Sequence, residues 1–298
     1  MNFSRRVAIV GVTGYLGRGL PALFAEKSVS VTGISRSLSQ TLPGVDRWQS
    51  MDQLDFSNHF AVINLAGERL DRRWTAKSKL HFHDSRVGVT RRIVQAIAKL
   101  PDSERPAVLI NASAVGIYGD RGDEILSDKA RPGTGYLAEL CSDWEDAAQD
   151  AESLGVRVVR ARIGVVLGKG GLAFEKLHTI FKFCLGGNLG SGEQWMSWIH
   201  ADDLRATLVH AVLSDDLTGA VNLTAPYPER NRDLTRKFAE ALHRPAFLSS
   251  PAFILRLMLG EFSSALLASQ RVIPEKLDAD GFTFRFPTLE TALVNLAK

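Results

Sequence analysis

Cysteine is scarce, with only Cys141 and Cys184 among 298 residues. Two thiols are too few for a disulfide framework and suit a reducing compartment, and no metal-ligand spacing surrounds them. Long apolar runs are missing as well. The longest candidate, Phe253 to Leu259, is interrupted by Arg256 and falls well short of the roughly 20 residues a spanning helix needs. The first apolar strand begins at Val7, which leaves no room for a signal peptide. An excess of one charge is also absent. The 36 basic and 33 acidic residues are interspersed and sum to +3, which gives no electrostatic footprint for nucleic acid or a membrane surface. These absences leave a soluble, cytoplasmic, globular chain whose partner is a small molecule.

What is present is concentrated at the start. Val7-Ala-Ile-Val-Gly11-Val-Thr-Gly14-Tyr-Leu-Gly17 runs from a β-branched strand through three glycines into a helical pattern. Gly11 allows a tight turn, Gly14 lets backbone N–H groups approach a pyrophosphate, and Gly17 lets the helix pack against the sheet. Thr13, Tyr15 and Leu16 complete the candidate cofactor loop. The bland alternative is a strand-to-helix turn with no ligand.

Downstream, apolar runs alternate with helical patterns. Strands are expected near 7–10, 29–34, 60–65, 107–112 and 156–162, and helices near 16–26, 75–100 and 136–153. Alternation of this kind means right-handed β-α units and a doubly wound parallel sheet, with ligands at the carboxyl ends of the strands. After Gly168 the pattern loosens into glycine-rich and proline-punctuated stretches. We therefore expect a dinucleotide-binding Rossmann domain over 1–165, rejoined by about 195–222, and a smaller substrate lobe from 166–194 and 223–298.

The second strand ends in Ser35-Arg36-Ser37, where an NAD-selective site would carry an acidic residue for the ribose 2′-hydroxyl. A cation suits the 2′-phosphate of NADP, with Ser35 and Ser37 adding hydroxyl donors. A solvated loop arginine is the alternative.

Further motifs follow in order: Asn64-Leu-Ala-Gly-Glu68, Arg73-Trp74, Ile110-Asn-Ala-Ser-Ala-Val-Gly-Ile-Tyr-Gly119, Leu137-Ala-Glu-Leu-Cys-Ser-Asp-Trp-Glu145, Val158 to Gly168, Trp198 to Leu204 and Pro274-Glu-Lys-Leu277. With the G-x-x-G-x-x-G turn, this set resembles the extended short-chain dehydrogenase/reductases. It is most similar to the atypical YfcH-like subgroup of the NAD(P)-dependent epimerase family, whose C-terminal segment of unknown function residues 247–292 resemble. The resemblance implies that Leu65, Ala66 and Gly67 pass along the adenosine half of the cofactor. It also implies that Thr90 and Arg162 belong to the cofactor surround, and that Tyr118 walls the substrate pocket. Asp202 or Asp203 is expected to cap a helix.

In that superfamily a Tyr exchanges a proton with the substrate oxygen, a Ser holds that oxygen, and a Lys one turn beyond the Tyr lowers its pKa. The resemblance places Ser113 and Tyr136 in the first two roles. The third position is Leu140. Three outcomes are open: weaker activation of Tyr136 by the cofactor itself, a Lys or Arg reaching in from elsewhere, or loss of proton transfer. Arg73 and Trp74 are candidates to frame a substrate, and Gln194, Trp195 and Trp198 to close as a lid. Cys141 has no basic neighbour in sequence and is not expected to act as a nucleophile. His81 and His83, two apart, face different ways on a helix and form no metal pair. The expected function is an NADP-dependent oxidoreductase or epimerase-like enzyme acting on a sugar-like or small hydroxyl or carbonyl compound. The rival is a non-catalytic NADPH-sensing regulator. Oligomeric state is left open.

Overall fold

The computed structural model describes residues 5–36 and 41–297. Ser37 lies outside them. In chain order the elements are β1 (Arg6–Val10), α1 (Leu20–Ala25), β2 (Ser30–Ser35), β3 (Arg47–Ser50), β4 (Ala61–Asn64), α2 (Ala76–His83), α3 (Val89–Ala98), β5 (Val108–Ala114), β6 (Ile125–Leu126), α4 (Tyr136–Gln149), β7 (Arg157–Ile163) and β8 (Val165–Leu167). Then come α5 (Leu172–Lys182), β9 (Trp195–Met196), β10 (Trp198–His200), α6 (Ala201–Leu213), β11 (Gly219–Leu223), β12 (Glu229–Arg230), α7 (Asn231–Leu242), α8 (Ala252–Leu259), α9 (Ser263–Leu267), β13 (Arg271–Val272), α10 (Glu275–Ala279) and α11 (Leu289–Leu296).

Seven strands form one parallel sheet in the order β11-β7-β5-β4-β1-β2-β3. The order reverses between β1 and β4, so their carboxyl ends diverge into a crevice where a ligand sits in such folds. The central strands are apolar on both faces because helices cover both sides. Val7, Ile9, Val31, Ile63 and Ile110 pack toward α1 and α6, and Ala8, Val10, Ile34, Val62 and Leu109 toward α3 and α4. β3 was not among the expected strands. Its Arg-Trp-Gln-Ser sequence carries no apolar run because it is the sheet edge, exposed or half-buried throughout.

The expected helix 75–100 is one rod interrupted by a π-helical turn at Asp84–Gly88. Thr75 caps its start in a reciprocal box with Ser78. A smaller cluster around Phe174, Phe181, Phe238, Leu289 and Leu293 joins α5, α7 and α11. The segment 275–284 does not belong to that cluster: Leu277 is buried in the sheet core, with Phe282 and Phe284 packed against it. Among the described residues no helix is long and apolar enough to cross a membrane.

Candidate functional site

The glycine turn is built on main-chain contacts. Gly11, at φ +80°, receives a register set by Val10 pairing with Ile34 on one side and Asn64 on the other. A Cβ on Gly11 would stand 3.2 Å from the Leu65 carbonyl, and one on Gly17 would stand 2.4 Å from Gly11 O and 2.7 Å from Val12 Cα. Gly17 leaves no room for a side chain, and at Gly11 the positive φ and the crowding by Leu65 would strain one. Gly14 is exposed, and its N–H donates to Gly11 O at 3.0 Å, closing the turn. Thr13 and Leu16 are half-buried within it. Tyr15 points elsewhere: its ring lies between the guanidinium groups of Arg18 and Arg205, each 5.4 Å from the centroid, and against Gly168 and Gly171. The closeness of that ring explains why the 168–171 loop is glycine-rich.

Beyond the turn, a cleft of about 390 Å³ is lined by Arg36, Gly67, Glu68, Arg69, Asp71 and Arg72. It begins where β2 ends, beside Ser35. Arg69 is paired with Asp71 and Arg72 with Glu68, whereas Arg36 has no carboxylate partner among the described residues. Arg69 and Arg72 were not anticipated. The signal for them was their place immediately after the Asn64–Glu68 motif.

Ala66 N–H is held by the Asn64 side chain at 3.1 Å, and Asn64 in turn donates to Asn111 at 2.7 Å and Thr90 at 2.9 Å. Thr90 also accepts from the Trp144 indole at 3.0 Å and has no exposed surface. The expectation that Thr90 faces the cofactor is therefore corrected: it props the loop carrying Ala66 and Gly67 from beneath. Arg162 is corrected likewise. It is buried, and its guanidinium grips Glu145 through two hydrogen bonds of 2.8 and 2.9 Å, with Tyr118 Oη at 3.0 Å. Burial works against its charge, but the hydrogen bonds and charge of Glu145 hold its pKa above the usual arginine range.

Ser113 stands opposite Arg162 in the β5/β7 register and donates to Glu145 Oε1 at 2.7 Å. Its proton is already committed, so its oxygen offers lone pairs. Glu145 was quoted in a motif without a role. Tyr118 donates to Asn222 at 2.6 Å, and burial raises its pKa against the pull of Arg162.

Tyr136 is the first residue of α4 and is half-buried. Its ring meets Trp74 at 5.1 Å, Trp74 meets Phe262 at 5.8 Å, and Tyr136 Oη donates to Lys79 O at a long 3.5 Å. Burial raises the phenol pKa, Arg86 draws it down, and Glu261 and Cys141 push it up. Leu140, where the superfamily has its Lys, is buried with Trp74 and Phe82. Burial pushes the Cys141 thiol up to about 12, which makes it inert. A cavity of about 550 Å³ runs beside Tyr136, between Gly116, Gly119 and Thr134 on one side and Arg256, Ser263 and Gln270 on the other.

Several expectations for the surround change. Trp198 is fully buried with its indole donating to Tyr227 O, and Gln194 is buried against Leu189 O, so neither closes as a lid. Trp195 is fixed between Arg230 and Arg271, 4.7 and 4.5 Å from its centroid. The α6 cap is His200, whose Nδ1 accepts from Asp202 N–H. Asp203 instead receives the N–H groups of Arg285 and Phe286, both at 2.9 Å. Arg73 reaches the Leu257 carbonyl and ties the C-terminal segment to the site.

Comparison with known proteins fits this architecture. The model of the NAD dependent epimerase/dehydratase family matches residues 7–223, and that of a domain of unknown function (DUF1731) matches 250–296. The chain belongs to the NAD dependent epimerase/dehydratase family. An epimerase family protein of Mycobacterium bovis is 38% identical to this family member over 96% of each chain. The chloroplastic SDR39U1 homolog of Arabidopsis thaliana is 35% identical, covering 96% of this chain and 85% of the plant protein. Among solved structures, human epimerase family protein SDR39U1, crystallised with NADPH, superposes with a TM-score of 0.89 at 31% identity, over 98% of this chain and 99% of the human one.

Proposed function

We propose that this epimerase-family chain binds NADP(H) across the Gly11–Gly17 turn and acts as an oxidoreductase or epimerase-like enzyme on a sugar-like or small hydroxyl or carbonyl compound. The observation that carries the reading is the cradle itself, where a Cβ at Gly17 would strike main chain and one at Gly11 would crowd the Leu65 carbonyl, beside a cleft holding Arg36. A dinucleotide fits such a site because the exposed Gly14 has no side chain to keep a phosphate from the main chain, and the uncovered Arg36 offers a cation. The human relative with NADPH supports the same choice of cofactor.

In this reading the turn holds the pyrophosphate, Arg36 with Ser35 and Ser37 holds the 2′-phosphate, and Leu65, Ala66 and Gly67 let the cofactor pass. When bound, the nicotinamide supplies or accepts a hydride. Ser113, its own proton given to Glu145, accepts a hydrogen bond from a substrate hydroxyl. Tyr136 moves a proton at that oxygen, and Trp74 and Phe262 keep water from the back of its ring. The test is NADPH oxidation against a panel of aldehydes and ketoses. Tyr136→Phe is expected to abolish turnover and leave NADPH affinity within about twofold, because the phenol acts on the substrate rather than the cofactor.

One observation favours a second reading, in which the chain senses NADPH without catalysis: Leu140 fills the Lys position with apolar packing. Parent protein that binds NADPH yet matches Tyr136→Phe in turning over none of the panel would favour the sensor.

A further inference from the structure

The rod α2–α3 holds a cation that no role so far explains. Arg86 lies on the π-helical turn Asp84–Gly88, a distortion that frequently marks functional positions. Its guanidinium lies against Gly67, where a Cβ would stand 3.2 Å from Cζ, and 5.3 Å from the Trp144 ring centroid. It donates to Glu68 O at 2.8 Å and to Phe82 O at 3.4 Å. Its one further acceptor is the neutral Ser85 hydroxyl at 3.4 Å, and among the described residues no carboxylate forms an ion pair with it. A half-buried guanidinium without an anion is costly, and burial lowers its pKa accordingly.

Tyr136 uses the same face of the rod. Its hydroxyl meets Lys79 O, and Phe82 O follows three residues on, a rise of about 4.5 Å. Guanidinium and phenol therefore sit on carbonyls about one helical turn apart. The groups facing Tyr136 are Arg86 from the π turn, Lys79 from α2, Glu261 from the C-terminal segment and Cys141 from α4 itself. Lys79 lies 4.3 Å over the ring, but its charge is answered by Glu261 at 2.7 Å. Glu68, whose charge acts on Arg86, is itself paired with Arg72 at 2.9 Å.

We infer that Arg86 is the positioning cation that replaces the absent Lys, reaching Tyr136 from the rod α2–α3 rather than from its own helix. Its unanswered charge stabilises the phenolate and leaves the Leu140 position free for apolar packing. The inference rests on the proposed role of Tyr136, so its test reads the phenol directly and needs no substrate. The chain has four tyrosines, and subtracting the ultraviolet titration of Tyr136→Phe isolates Tyr136.

In Arg86→Gln this isolated titration should move to higher pH, so that phenolate absorbance at the parent's midpoint falls about fivefold. Arg86→Lys, which keeps the charge, should restore most of it. A purely packing role would leave the titration of both variants at the parent position, and that result overturns the inference. So does an alkaline shift in Arg86→Lys as large as in Arg86→Gln. NADPH titration of the same variants, by nicotinamide fluorescence, separates this failure from failure of the cofactor reading.

Discussion

The two halves of the site are held in different ways. On the cofactor side the turn is shaped by main chain against main chain: Gly11 lies against Leu65, Gly17 against Gly11 O and Val12 Cα, and almost no side-chain chemistry is involved. On the side proposed to transfer a proton, everything depends on side chains borrowed from distant elements. Ser113 answers to Glu145 on α4, which answers to Arg162 on β7, which touches Tyr118; Tyr136 answers to Lys79, Trp74 and Arg86. A backbone-built site is specified by a short local motif. A side-chain-built site can exchange one partner for another from a different element, so its usual signature can be missing while its chemistry survives.

Substitutions on the side-chain half should cost most. Arg162→Met strips the buried Glu145 of its two guanidinium hydrogen bonds, leaving Ser113 and a distant Arg160 at 3.9 Å, which should destabilise the fold by about 3–5 kcal/mol, read from the chemical-denaturation midpoint. A loss no larger than that of an exposed arginine would mean that the Ser113–Glu145–Arg162 array is not the anchor described. On the backbone half, Gly17→Ala forces a methyl into three main-chain atoms and should cost about 1–3 kcal/mol, with NADPH affinity falling in parallel. Intact binding in that variant would show that the turn does not depend on the close approach.

Selectivity should respond more narrowly. Arg36→Asp should weaken NADPH at least tenfold relative to NADH, about 1.4 kcal/mol, with little effect on folding. Equal losses for both cofactors would remove Arg36 from the 2′-phosphate.

The smallest effect concerns acid. The hydrogen bond from Arg69, with Lys176 adding, holds the Asp71 carboxyl well below the usual carboxylate range. Because the folded-state pKa lies beneath the unfolded value of about 3.9, the stabilisation is complete above that pH and is lost as pH falls toward the folded value. Asp71→Asn should therefore lower stability by under about 1 kcal/mol near neutrality and flatten the acid limb of the stability curve. An unchanged acid limb would show that the Arg69–Asp71–Lys176 contacts contribute nothing.

Legibility in the sequence follows the same division. β1, β2, β4, β5 and β7 were visible because burial on both faces demands continuous apolar runs, and the glycine turn because only glycine fits it. β3 was hidden, since an edge strand needs no such run. Thr90 and Arg162 were placed by likeness near the cofactor, and only three-dimensional burial shows them turned inward. Asp203 reads as a helix cap until Arg285 and Phe286, 82 and 83 residues further on, are seen on its carboxylate. Glu145 had no readable role because its partners Ser113 and Arg162 lie on β5 and β7, and contacts between elements leave no periodic mark.

A glycine turn and Arg36 that together make an NADP(H) site should show themselves when the purified chain is titrated with NADPH and with NADH while nicotinamide fluorescence is followed. NADPH should bind saturably with at least a tenfold preference over NADH, about 1.4 kcal/mol. Equal affinity would contradict the 2′-phosphate assignment, and failure of both cofactors to bind would contradict the NADP(H) site as a whole.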